Sequence, residues 1–165
     1  MPRPRTTSED EAIEQALMLF WEHGYDRTSI ALLCEAIGVG PSSLYNAFGS
    51  KEELFRRAIG RYVKTYAACT REVADTESPL SVVEFAGKLM RDLAMLYTTG
   101  GKPLGCAIFR GGSPDSNSES GAITREVKQD LETALRQRFQ SYADRGEPLS
   151  APPATLARFI LSTLC

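Results

Sequence analysis

The most restrictive stretch of the chain lies between Thr28 and Gly49. Ile30, Leu33, Cys34 and Ile37 recur at i, i+3, i+4 and i+7, the single apolar stripe of a short amphipathic helix. Gly38 stands where that helix needs a residue of positive φ to end. Val39 is the lone apolar residue of the turn and is expected to plug the gap between two helices. Gly40 suits an N-cap and Pro41 the first position of a following helix, expected over Pro41 to Ala47 and closed by Gly49. Leu44 and Phe48 point to one side of it. Helices this short are not stable alone, so other elements must pack against them. A helix, a glycine-containing turn and a second helix make the helix-turn-helix pattern.

The flanking sequence is helical throughout, with no alternating strand and no internal repeat, and the expected class is all-α. Ser8-x-x-Glu11 is a capping box that opens a first helix carrying Ile13, Ala16, Leu17 and Phe20, ended by His23-Gly24, with Tyr25 tucked under as a core residue. Thr28 is the expected N-cap of the second helix. Ser50-x-x-Glu53 reads as another capping box, opening a helix from Lys51 to about Val73. Further helices are expected over Pro79 to Tyr97, Ala122 to Asp144 and from Ala154, after Pro152-Pro153, onward. A short apolar piece, Cys106 to Phe109, and a polar Gly/Ser-rich stretch, Gly111 to Ser120, lie between them.

Composition narrows the function. Nineteen Lys+Arg against 21 Asp+Glu give a net charge of −2, which excludes a grip on nucleic acid or membrane by bulk charge alone but leaves room for a small reading surface. The single histidine, His23, excludes His clusters, and the four cysteines (Cys34, Cys69, Cys106, Cys165) have neither zinc nor disulfide-scaffold spacing, so no metal or cofactor is expected. The N-terminal stretch lacks an apolar signal region, and no apolar run is long enough to span a membrane, so the expected location is the cytoplasm. No nucleophile motif, P-loop or dinucleotide fingerprint is present, and an enzyme is not expected. The outer face of the helix after Pro41 carries Ser42, Ser43, Tyr45 and Asn46, groups suited to base edges and phosphates, although an ordinary surface helix can carry the same face.

From Ala12 to Phe55 the sequence resembles the DNA-binding domain of TetR-family transcriptional regulators. The resemblance rests on LFWEHGYDRTSI, the AIGVG turn, the LYNAF recognition helix and the GSKEELF start of the fourth helix. It implies a three-helix DNA-binding domain over residues 1–50 and a helical effector-binding and dimerisation domain over 51–165. It further implies a homodimer on a near-palindromic double-stranded operator, acting as a repressor and released by a small-molecule effector. On that basis Ser42, Ser43 and Asn46 are candidates for base contacts, with Gly40 and Pro41 allowing close approach of the helix N-terminus. Tyr45, Thr28, Ser29 and Lys51 are candidates for phosphates, and Arg5, with Arg3, for a basic arm.

For the effector, Tyr66, Phe85, Met90, Leu93, Tyr97, Cys106 and Phe109 are the candidate lining, though the same residues at helical spacing also make an ordinary core. One rigid fourth helix, running from Lys51 past Tyr66, is expected to link the two sites. The chain departs from the family in being shorter at its C-terminus, where the second of two closing helices is missing: either it is truncated or its dimer is built otherwise. Two alternatives remain open: a helical interaction module without DNA binding, favoured by the acidic run Glu9, Asp10, Glu11 and Glu14, and a regulator that senses redox state through cysteine.

Overall fold

The structure, a computed structural model, describes residues 8–67, 73–112 and 118–163. Within them lie α1 (Glu9–His23), α2 (Ile30–Ile37), α3 (Pro41–Phe48), α4 (Lys51–Thr65), α5 (Val82–Thr98), α6 (Ala107–Gly111), α7 (Glu119–Asp144) and α8 (Pro153–Thr163). No strand occurs among the described residues, and the all-α expectation holds.

Local chemistry sets most boundaries. The Ser8–Glu11 capping box forms in both directions, and the α1 C-terminus is closed at Gly24. Gly38 adopts the left-handed conformation (φ 76°, ψ 31°) that an L side chain would resist, turning the chain from α2 into α3. Gly40 caps α3 and Pro41 opens it, as the sequence predicts.

Several helix ends differ from expectation. The N-cap of α2 is Ser29, whose hydroxyl accepts from Leu32 N (3.1 Å), not Thr28. At α4 only half of the second capping box forms: Ser50 accepts from Glu53 N, while the Glu53 carboxylate turns to Arg57 and Arg56 instead. The α4 helix also ends at Thr65 rather than near Val73, because the N–H groups of Tyr66 and Ala67 converge on the Tyr62 carbonyl (2.9 and 3.0 Å). The α7 helix starts at Glu119, three residues before Ala122, since Ser118 caps it by accepting from Gly121 N.

Two cores result. The first joins α1 to α4 with α6 and the start of α7, around Leu17, Phe20, Trp21, Leu44, Phe55 and Tyr62. It runs across residue 50, and α4 buries Leu54, Phe55, Ala58, Ile59 and Tyr62 in it. The second core joins α5, the C-terminal half of α7 and α8 around Phe85, Leu89, Leu135, Phe139 and Tyr142. It contains a fully buried arginine, Arg138, which donates to the Asp75 carbonyl and the Tyr142 hydroxyl and lies against the Phe85 and Tyr142 rings. Tyr97 packs against both cores.

Candidate nucleic-acid interface

The α3 helix presents two chemically opposite faces. Leu44 and Phe48 are buried in the first core; Ser42, Ser43, Tyr45, Asn46 and Ala47 are exposed. The exposed face carries no charge, so what it offers a partner is hydroxyl, amide and phenol hydrogen bonding. No side chain caps the α3 N-terminus, which leaves its first N–H groups available. Ser29 is exposed at the α2 N-terminus, with its hydroxyl oxygen engaged in the cap and its proton free to donate.

Thr28 does not belong to this surface. It is fully buried, and its hydroxyl donates to the Gly24 carbonyl (2.7 Å), with the Leu19 carbonyl 3.4 Å away, so it braces the α1–α2 turn instead of meeting a phosphate. Lys51 is half-buried. Its ammonium donates to the Tyr25 carbonyl (2.7 Å) and lies 4.0 Å from the centre of the Tyr25 ring, and loss of hydration holds its pKa below the usual lysine range. Two of its three N–H groups remain for a phosphate. Arg5 and Arg3 lie outside the described residues.

The acidic residues of α1 find a local use. Glu9 pairs with Arg57 (2.6 Å), Asp10 with Arg61 (3.4 Å), and Glu14 with both Arg61 and the Tyr66 hydroxyl. Hydrogen bonds to Glu53 and Glu14 raise the pKa values of Arg57 and Arg61 respectively. The acidic face of α1 and the basic stretch of α4 thus neutralise each other along their shared seam, and Glu9, Asp10 and Glu14 are partnered within the protein. Nothing in the sequence short of the α1–α4 packing showed that these two charge clusters are partners.

The candidate effector residues separate. Leu93, Tyr97, Cys106 and Phe109 come together around a small apolar cavity of about 20 Å³, bounded also by Tyr62 from α4 and Lys128 from α7. The Tyr62 hydroxyl donates to Cys106 Sγ (3.5 Å), and burial drives the Tyr62 pKa well up. Lys128 covers the Phe109 ring at 4.4 Å. Tyr66, Phe85 and Met90 are elsewhere, against expectation. Tyr66 turns toward α1, where Trp21 and Glu14 hold it and burial pushes its pKa up to about 12. Phe85 is sealed in the second core, and Met90 lines an open groove between α5 and α8. Apolar character and spacing marked these residues as interior, but there are two interiors, and only the packing of α5 against α7 sorts residues between them. No group of His, Cys, Asp or Glu able to hold a metal occurs among the described residues, nor a helix long and apolar enough to cross a membrane.

A short, uncharged reading helix braced by a second helix, on a scaffold continuous with a larger helical body, defines a helix-turn-helix DNA-binding regulator. Residues 12–58 match the family model described as bacterial regulatory proteins, tetR family. The chain is 33% identical over 163 residues to the HTH-type transcriptional repressor ComR of Escherichia coli (strain K12), covering 96% of this chain and 76% of ComR. It is 34% identical over 109 residues to the HTH-type transcriptional repressor BdcR of the same organism, covering 66% of this chain and 54% of BdcR. Among solved structures it is similar to a cysteine mutant of the TetR-family transcriptional regulator CifR complexed with 26-bp double-strand operator DNA, at a TM-score of 0.83 and 33% identity, covering 98% of this chain and 85% of that one. A TetR regulator from Legionella pneumophila shares the fold, with a TM-score of 0.72 at 21% identity, covering 97% of this chain and 84% of that one. The chain belongs to the TetR family: it is a DNA-binding transcriptional regulator and not an enzyme.

Proposed function

We propose that this regulator is a repressor that binds a near-palindromic operator as a homodimer and leaves it when a small, largely apolar effector enters the cavity between α4, α5, α6 and α7. The observation that carries the reading is the α3 surface: Ser42, Ser43 and Asn46 exposed opposite buried Leu44 and Phe48, on a helix whose N-terminus is left open by Gly40 and Pro41. Ser42, Ser43 and Asn46 meet base edges; Tyr45, Ser29 and Lys51 meet phosphates; Arg5 extends the contact as a basic arm. Residues 1–50 thus carry the DNA-reading surface, joined by Lys51 at the first position of α4, and the remainder of 51–165 binds effector and partner subunit.

The names of ComR and BdcR as repressors, and the operator complex of CifR, support this assignment. The alternative of an interaction module without DNA binding loses its motive, because the acidic run is neutralised within the protein.

Selection of bound duplexes from a randomised pool, followed by gel-shift with the DNA flanking its own gene, tests the reading. The expected site is two-fold symmetric, with half-sites about 34–36 Å apart, one helical turn or a multiple of it. Selection of an asymmetric single half-site, or of no sequence at all, overturns it.

A further inference from the structure

We propose that Arg27, on the turn between α1 and α2, is a further DNA contact: its guanidinium fork holds one backbone phosphate in each half-site of the operator. The inference rests on the operator reading above and adds to it a residue outside both the α3 face and the α4 start.

The cations of the first core narrow the choice. The α3 face is uncharged, and DNA affinity needs cations that displace condensed counterions. Most cations near that face are engaged within the protein. Arg56 pairs with Glu53 and Glu126, Arg57 with Glu9 and Glu53, and Arg61 with Asp10 and Glu14. Lys51 donates to the Tyr25 carbonyl, and Lys64 stands in the last turn of α4, at the far end of that helix from Lys51. Arg27 is the one Lys or Arg in residues 8–50, and among the described residues it pairs with no carboxylate. The neighbouring Asp26 acts electrostatically on Lys51.

The turn aims Arg27 outward. Thr28 is fully buried, with its hydroxyl on the Gly24 carbonyl, while the residues on either side of it, Arg27 and Ser29, are exposed. Ser29 is extended and caps α2, so Arg27 stands two residues before the point where the first unpaired N–H groups of that helix begin. An anion is favoured at such a helix start, and a cation two residues ahead of it adds a charge that the helix alone does not supply.

One hydrogen bond fixes the fork. Arg27 Nε donates to the His23 carbonyl (2.9 Å) in the last turn of α1. The bond satisfies a helix C-terminal carbonyl with a cation, the favourable charge there. It also holds the side chain by its Nε and leaves Nη1 and Nη2 as the free pair. Two parallel N–H donors on one planar group match two oxygens of a phosphate, and a donor set already held in place loses less freedom on binding.

Salt-titrated binding of the full chain to the selected operator duplex, and to an unrelated duplex of the same length, tests the proposal. Arg27→Ala should lower the salt slope by about one charge per subunit and weaken both duplexes by the same factor. Arg27→Lys keeps the charge but not the fork, so the slope should stay while part of the affinity is lost. Arg136→Ala removes an equal charge from an exposed position on α7 and should leave the slope unchanged. To place the contact, each operator phosphate is replaced in turn by an uncharged methylphosphonate. One replacement per half-site should weaken binding of the unsubstituted protein and have no effect on Arg27→Ala.

A lower urea midpoint in Arg27→Ala, with the slope and the phosphate pattern unchanged, would confine Arg27 to closing α1 and overturn the proposal while the operator reading stands. An equal loss of slope in Arg136→Ala also overturns it, because bulk charge would then account for the effect. Failure of the unsubstituted protein to bind any duplex overturns both.

Discussion

Lys51 and Tyr25 lie 26 residues apart in sequence, and the ammonium of one donates to the carbonyl of the other at 2.7 Å while covering its ring at 4.0 Å. One lysine thus ties the start of α4 to the turn before α2. The sequence marked Lys51 as a phosphate contact; the structure gives it an internal partner as well, and the two roles separate experimentally. Lys51→Ala should lower stability by about 1–2 kcal/mol, as loss of a charged hydrogen bond at a half-buried site does. It should also weaken all duplexes about equally and lower the salt slope by roughly one charge. Urea unfolding and salt-titrated DNA binding measure the two effects. A stability loss with an unchanged salt slope would confine Lys51 to the turn.

Asn46 is exposed in the middle of the α3 face, and its amide can both donate and accept toward a base edge. Asn46→Ala should cost about 1–3 kcal/mol on the preferred operator and much less on unrelated DNA. Equal affinity and equal preference before and after the change would remove Asn46 from the reading surface.

Thr28 separates the sequence reading from the structural one most sharply. Its hydroxyl is buried on the Gly24 carbonyl, so Thr28→Val should destabilise the fold by about 1 kcal/mol, the net value of one intramolecular hydrogen bond. The salt dependence of DNA binding should not change. A lowered salt slope would mean that the hydroxyl reaches a phosphate after all.

The Tyr25–Glu52 bond gives an acid-side signature. The Tyr25 hydroxyl holds the Glu52 carboxyl below its ordinary value of about 4.5. A carboxylate whose folded pKa is depressed adds stability that is present above its unfolded pKa and lost as pH falls through the folded one. Stability should therefore decline below about pH 4.5, and Tyr25→Phe should flatten that limb relative to the unsubstituted protein. Denaturation midpoints between pH 3 and pH 6 test this; parallel acid limbs in the two proteins argue against the bond.

Dimerisation should draw on the groove side of the second core. Val83 and Phe159 remain 77% and 64% exposed there, and so contribute little to the fold of one chain. Phe159→Glu should change unfolding stability by no more than about 0.5 kcal/mol, as surface substitutions do, while weakening self-association. Sedimentation over a range of concentrations measures it. An unaltered association constant would place the dimer contact on another face.

The legible part of this protein is local. Capping at Ser8 and Ser50, the stop at Gly38, the Gly40-Pro41 start and the two faces of α3 follow from hydrogen bonds and side-chain spacing within about four residues, and these are written in the order of the amino acids. The polar face of the reading helix was visible for that reason. The misplaced N-cap of α2 shows the limit: Thr28 and Ser29 are both competent caps, and only the packing of Thr28 under α1 leaves the task to Ser29.

What tertiary structure decided lies at long sequence separation. Glu14 and Arg61 are 47 residues apart, Trp21 and Gly105 are 84 apart, and neither pairing has a signature in periodicity or composition. Whether an acidic helix repels DNA or neutralises its neighbour depends on which face of α1 meets α4. Whether an inward aromatic lines a cavity, as Tyr97 does, or fills a core, as Phe85 does, depends on where α5 crosses α7. Helical spacing specifies which residues face inward. The inter-helix crossings, set by packing the whole set of apolar faces at once, specify what each of them meets.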